Sequence, residues 1–318
     1  MKLSNAFNAY LLDGTREKQW SSRHSDNIRQ RLSPFIDRVA DLPVAAITTA
    51  MISAHFDELD RTLHSAASWN SYRQTFRSFF TWCRAQGYIA RQPVTIPLRK
   101  HTKKNKTTSF EDFARLKAAA TALMRSAEPT DVRTAAIWLF TADSACRLGE
   151  VASLTYEHAC RQLASPTFSP GGLVYTFRID GKTGEGWATV SELAAEAMRR
   201  WIDMRPRGIE LGHDALWIGF QPNRLYRPMV ADGGIKLVFE HVAEIAGVTH
   251  NFRSHNLRYL NCKYYVERFG ARIAQKKLRH SRVEFTLRVY HQVDELDVIN
   301  STGEAGLLKI PTLTHTER

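Results

Sequence analysis

The chain has 318 residues, with 44 Lys and Arg against 32 Asp and Glu, for a formal net charge of +12. That length can hold two domains with separate cores, and 43% hydrophobic with 24% charged residues is the composition of an ordinary globular protein. The charge excess suits a polyanionic partner, a nucleic acid or an acidic membrane surface, although it also serves solubility.

The first ten residues are too polar for a signal peptide, and no later run reaches the apolar length of a membrane span. The expected location is therefore the cytoplasm. Cys83, Cys146, Cys160 and Cys262 show no paired CxxC spacing, which fits a reducing compartment better than a disulfide frame or a zinc site. Residues 25–89 read as helices. Ile28, Leu32, Ile36 and Val39 repeat at helical spacing, with Pro34 expected to split or begin that helix. Thr49 is placed to cap a second helix carrying Ile52, Phe56, Leu59 and Leu63. Tyr72, Phe76, Phe79, Phe80 and Cys83 form the core stripe of a third, which Gly87 ends. Arg73, Arg77 and Arg84 lie largely off that stripe, on a side that is either a phosphate-facing or a solvated surface.

Composition then shifts. Residues 93–107 hold Pro93, Pro97, Arg99, Lys100, Lys103, Lys104 and Lys106, a pattern of an extended basic linker able to follow a DNA backbone. Thr108 with Glu111, or Ser109 with Asp112, resembles a helix-opening box ahead of Phe113 and Leu116. A helix from about Thr130 carries Ile137, Trp138 and Phe140. Leu173 to Ile179 alternates as a strand, residues 180–186 are turn chemistry, and residues 187–190 return as a second strand. Further helices are expected over 191–204, 234–245 and 254–269, the last closed by Gly270. The chain thus reads as mainly α with a small antiparallel β-sheet in the C-terminal domain. Its expected divisions are a helical N-terminal domain over 1–92, the basic linker over 93–107 and a second domain over 108–318.

The chemistry-bearing residues concentrate in the second domain. Arg147 has Glu150 three residues on, so the carboxylate can brace the guanidinium, as in any local ion pair. Lys182 sits at a hairpin tip, a common place for a solvated lysine. His255 and Arg258 share a helix face, a weak motif alone. His280 precedes Tyr290 by ten residues. Arginines and a lysine neutralise a phosphate, and a phenol can attack one. The Gly181-Lys182-Thr183 triplet is not a nucleotide-binding loop: position 176, where that loop needs glycine, is Thr176, and the lysine lies between strands. No carboxylate cluster suggests a metal.

Four fragments in this order, TADSACRLGEVASL (141–154), DGKTGE (180–185), HNLR (255–258) and LRHSRVEFTLRVY (278–290), resemble the boxes of the tyrosine recombinase (phage integrase) family. The resemblance extends over nearly the whole chain and implies a core-binding (SAM-like) helical domain followed by the catalytic domain. It departs at Ser144 and Ala145, where the family usually has Thr-Gly. Arg279 stands where glycine often precedes the histidine, and Tyr259 and Leu260 stand where His-Thr is frequent.

The resemblance implies a site-specific recombinase that needs neither metal nor ATP, with Arg147, Lys182, His255, Arg258, His280 and the nucleophile Tyr290 as its catalytic set and Glu150 as a brace. It implies double-stranded DNA as partner and a tetramer on two DNA sites, and leaves open a directionality factor. Arg73, Arg77, Arg84, Arg99, Lys100, Lys103, Lys104 and Lys106 are the candidate DNA contacts. Residues 306–313 form a short apolar patch that docks either on its own domain or on a neighbour. The alternatives are a type IB topoisomerase or telomere resolvase with the same chemistry, and a catalytically silent DNA-binding accessory protein.

Overall fold

The computed structural model describes residues 1–100, 108–181, 184–206, 211–249 and 252–290, the side chains of Phe285, Arg288, Val289 and Tyr290 excepted. Lys103, Lys104, Lys106, Lys182 and the apolar patch at 306–313 lie outside the described residues. The chain divides into two compact units, Met1–Lys104 and Asn105–Arg318.

The first unit is built from α1 (Leu3–Arg16), α2 (Ser22–Arg38), α3 (Thr49–Thr62) and α4 (Ala66–Ala85). α1 is a helix that sequence reading left out. Its Leu3, Phe7, Tyr10 and Leu11 are buried, spaced along one face as helix packing needs. α2 runs unbroken through Pro34, contrary to the expected split. Thr48, not Thr49, caps α3 by accepting from the Met51 N–H at 3.3 Å. The α4 stripe forms the core as expected: Phe76 packs edge-on against Phe35 and Phe56, and Cys83 is fully buried.

Val94 and Ile96 join this core, so the first part of the basic segment lies on α4. Asn70 holds it there, donating to the Arg99 carbonyl at 2.9 Å and accepting from the Arg99 N–H at 3.0 Å. Alternating apolar residues between the prolines explain this, since each second side chain of an extended segment can enter a core.

In the second unit, α5 (Phe110–Leu123) begins at Ser109, whose hydroxyl accepts from the Asp112 N–H at 3.0 Å. Of the two boxes, Ser109 with Asp112 is the one formed. α6 (Pro129–Ser144) is buried on nearly every face, from Val132 to Ser144, and is the axis of the core. α7 (Leu148–Ala152) and α8 (Tyr156–Leu163) follow. Three antiparallel strands come next, β1 (Thr167–Ser169), β2 (Gly172–Gly181) and β3 (Gly184–Ser191), in the order β1-β2-β3. Tyr175, Phe177 and Ile179 face inward, opposite Val190, Ala188 and Gly186, while Arg178 pairs with Trp187 on the open face. β1 had no counterpart in the sequence reading. The unit closes with α9 (Glu192–Met204), α10 (Lys236–Ile245), α11 (Ser254–Phe269), α12 (Ala271–Leu278) and α13 (Val283–Tyr290). Gly270, at φ 81°, turns the chain from α11 into α12. No described helix is long and apolar enough to cross a membrane.

Candidate active site

The end of α6 starts the site. Ala145 caps that helix in the left-handed conformation (φ 53°, ψ 28°), and its N–H bonds back to the Thr141 carbonyl at 3.1 Å. The turn leaves the Ala145 carbonyl for other donors and sends Arg147 to the start of α7. Glu150, 3% exposed, accepts there from the Arg147 N–H (2.8 Å, Oε2) and from Arg147 Nη1 (2.8 Å, Oε1). The local ion pair that the spacing allows is therefore formed.

α11 brings Arg258 beneath the same turn. It is 5% exposed, and its guanidinium donates to the Ala145 carbonyl at 2.5 Å and to the Leu278 carbonyl at the end of α12. Burial, then the like charges of Arg147 and Arg279, pull its pKa down to about 10, so it stays cationic at neutral pH. His255, three residues earlier on α11, is exposed.

α12 ends in the bonds Arg279 N–H to Lys276 O (3.1 Å) and His280 N–H to Gln275 O (3.0 Å), with Arg279 left-handed at φ 54°. This is the hydrogen-bond pattern that glycine usually terminates, and a residue with a Cβ pays on the order of 1 kcal/mol to occupy it. His280 follows, its Nδ1 3.0 Å from the Thr286 hydroxyl on α13. Burial, then the charges of Arg258, Arg147, Arg279 and His255, pull the His280 pKa down to about 4. The imidazole is neutral at pH 7. Thr286 is fully buried, and its carbonyl also accepts from the Cys262 thiol at 3.7 Å, so α13 is tied to α11 and α12 one turn before Tyr290. The Tyr290 side chain lies outside the described atoms.

The hairpin reaches this cluster through two glycines. A Cβ at Gly181 would stand 2.8 Å from Glu150 Oε1, and one at Gly186 would stand 3.1 Å from Arg279 Cδ. A side chain at either position would crowd Glu150 or Arg279. Gly181 is the residue before Lys182.

Arg147, Arg258, His255 and His280 thus come together from three separate stretches of chain, near enough for their charges to act on one another. Sequence reading missed Arg279 as a member of the group. It noted only an unusual residue before His280. The signal was an arginine at a position suited to glycine. Burial raises the Glu150 carboxyl, but the hydrogen bonds from Arg147 and the charge and bond of Arg279 outweigh it and hold the group below its ordinary range.

The candidate DNA contacts differ among themselves. Arg77, Arg84 and Lys100 are exposed. Arg73 donates from Nε to the Ile96 carbonyl, and Arg99 lies 3.5 Å over the Trp69 ring and pairs with Asp60 at 2.6 Å. Among the described residues no three His, Cys, Asp or Glu converge as a metal site requires.

A family model described as "Phage integrase family" matches residues 106–296. No curated protein matches the sequence. Among solved structures, the Tn1549 transposon integrase (residues 82–397) in complex with circular intermediate DNA is similar at TM-score 0.67 and 14% identity, over 95% of this chain and 99% of that one. The XerH site-specific recombinase, bound to a palindromic difH substrate in a post-cleavage complex, is similar at TM-score 0.66 and 17% identity, over 88% and 80%. A lambda integrase tetramer bound to a Holliday junction is similar at TM-score 0.60 and 16% identity, over 91% and 77%.

Proposed function

The chain belongs to the phage integrase family of site-specific recombinases, and from this premise we propose that it cuts and rejoins double-stranded DNA through Tyr290 without metal or ATP. The Tyr290 hydroxyl attacks the scissile phosphorus, His255 takes its proton, and the bond from phosphorus to the 5′-oxygen breaks. Lys182 protonates that oxygen as it leaves. The products are a 3′-phosphotyrosyl ester and a free 5′-hydroxyl, and the same steps in reverse reseal a strand because the ester keeps the bond energy. A free phenol has a pKa of about 10, so help with its proton is required near neutral pH.

One observation carries this reading: the guanidiniums of Arg147 and Arg258 and the imidazole of His280 gather around the Ala145 turn, at the base of the helix that ends in Tyr290. Fork-shaped donors on two sides of a phosphate hold its non-bridging oxygens and stabilise charge as the phosphorus becomes five-coordinate. The reading takes the tautomer in which the Thr286 hydroxyl, 3.0 Å away, donates to Nδ1, so that the neutral His280 carries its proton on Nε2 and donates it to the phosphate. Tyr290 is the last residue of α13, about one turn beyond Thr286 in the chain.

The first unit grips the duplex as a core-binding domain, with Arg77, Arg84 and Lys100 as exposed phosphate contacts and Lys103, Lys104 and Lys106 continuing the basic segment. Exchange between two duplexes requires a cut on each, which four protomers on two sites supply. The lambda integrase tetramer on a Holliday junction is a precedent for that assembly in a similar fold. A mobile genetic element is the natural client of such an activity. A nicked suicide substrate run on a denaturing gel tests the proposal. Wild-type protein should give a covalent adduct that Tyr290→Phe lacks while still binding DNA, and an undiminished adduct in the variant refutes it.

A further inference from the structure

We propose that Arg279 is a positioning residue of the strand-cleavage site, which shares Glu150 with Arg147 and so leaves the charge of Arg147 less offset and its guanidinium aimed at the scissile phosphate. The inference rests on the strand-cleavage reading above and adds a residue to it.

Position 279 is left-handed and ends α12 in the pattern that favours glycine. An arginine held there must be offset by what its side chain does. Nη1 donates to the Ser144 carbonyl at 3.3 Å and to the Lys277 carbonyl at 3.1 Å. Nη2 meets Glu150 Oε2 at 2.9 Å, the Ala145 carbonyl at 3.4 Å and Cys146 Sγ at 3.5 Å. Nε is buried without a partner. One guanidinium therefore joins the end of α6, the start of α7 and the end of α12, the three places that hold Arg147, Arg258 and His280. Gly186 leaves room for its stem.

Glu150 alone beside Arg147 would neutralise it, leaving a dipolar pair facing the DNA. With Arg279 on the other carboxylate oxygen, the single negative charge of Glu150 is divided between two guanidiniums. Arg258 adds its own charge, bonded to main-chain carbonyls. The cluster then carries two uncompensated positive charges, where glycine at 279 would leave one. The Arg279 side chain is 11% exposed, against 36% for Arg147, so it acts through Glu150 and Arg147 more than by touching DNA itself.

The test compares Arg279→Gly, Arg279→Lys, Tyr290→Phe and wild type on the same suicide substrate, at saturating protein. Glycine suits the backbone but takes the guanidinium away from Glu150 and from the Ser144, Ala145 and Lys277 carbonyls, so the Gly variant should fold with a lowered melting temperature and bind DNA within a few-fold. Its single-turnover cleavage should fall on the order of 10- to 100-fold, the range for groups that orient others. Lysine restores charge without the fork and should recover part of that loss. On a substrate whose scissile phosphate is replaced by a neutral methylphosphonate, the Gly variant should lose much less, because less charge develops on the non-bridging oxygens. A Gly variant that cleaves at the wild-type rate overturns the inference. So does an equal slowing on both substrates with no recovery by lysine, which marks a scaffold role. If the Gly variant does not fold, Arg279→Lys on the two substrates decides by the same difference. An adduct retained by Tyr290→Phe would instead remove the cleavage reading itself, so the two failures are distinct.

Discussion

In the first unit Arg99 is drawn onto the Trp69 ring and the Asp60 carboxylate near the surface, whereas in the second unit Arg258 sits buried among main-chain carbonyls. Both are satisfied, but with different consequences. A guanidinium paired one-to-one with a carboxylate has little field left for a ligand. One held by neutral carbonyls, or by a share of a carboxylate, is fixed in place and still charged. The second arrangement is costly to bury and suits a site that must meet a phosphate. The first suits a domain that needs only to hold its segments together.

The comparison breaks most visibly at Arg258. Arg258→Ala should reduce single-turnover cleavage about 10²- to 10³-fold, as for loss of one transition-state donor. It should also destabilise the protein by about 1–3 kcal/mol, because the Ala145 and Leu278 carbonyls lose their donor. Quench-flow and calorimetry measure both, and a variant equal to wild type in rate would show that the buried guanidinium is only structural. By contrast, Arg99→Ala should leave the rate on pre-bound DNA within a few-fold.

Glu150→Ala is next in size. It takes the shared carboxylate from both Arg147 and Arg279, and removing one partner of a buried pair costs about 3–5 kcal/mol. Denaturant titration should show a shifted midpoint with an unchanged slope. A loss below 1 kcal/mol would mean that solvent already screens the pair.

Acid titration separates the units by their imidazoles. Burial depresses the pKa of His280 in the second unit and of His55 in the first, where Arg38 adds to the effect. A depressed histidine contributes stability that is full above its ordinary pKa of about 6.5 and is lost as pH falls toward its folded value, which is about 4 for His280. Glu150, also depressed, contributes above the ordinary carboxylate range and loses its share only at lower pH. Melting temperature should therefore decline below about pH 6.5 and again below about pH 4. His280→Gln should flatten the upper limb for the second unit and His55→Phe for the first. A limb unchanged by both substitutions would contradict the assignment.

The smallest effects belong to the exposed α4 arginines. Arg77→Ala and Arg84→Ala should each weaken DNA binding a few-fold and lower the slope of log affinity against log salt by about 1, the signature of one lost phosphate contact. Arg73→Ala, whose Nε is engaged with the Ile96 carbonyl, should move stability more than the slope.

Much of this was legible in the residues because a helix buries a stripe. The α4 aromatics, the α6 run and the alternation of β2 all announced their faces. α1 escaped because Leu3, Phe7, Tyr10 and Leu11 are separated by polar residues at the very start of the chain. α12 escaped because its buried residues are few, Ala274 and Leu278. The motif order brought the site residues to notice, yet two substitutions within it could not be interpreted from spacing. Ala145 and Arg279 stand where the resembling family favours glycine. Both keep the left-handed backbone that glycine would supply, at φ 53° and 54°. The fold preserves the turn and accepts the strain, and only the coordinates reveal that the Arg279 side chain then returns to Glu150.

Mapping the covalent product tests whether the arginine cluster serves a nucleophile at the end of α13. The protein is trapped on a suicide substrate and digested with protease and nuclease, and the nucleotide-bearing peptide is sequenced by mass spectrometry. A single modified residue is expected, Tyr290, carrying a nucleotide through its 3′-phosphate. A nucleotide on any other side chain, or one attached through a 5′-phosphate, would contradict it.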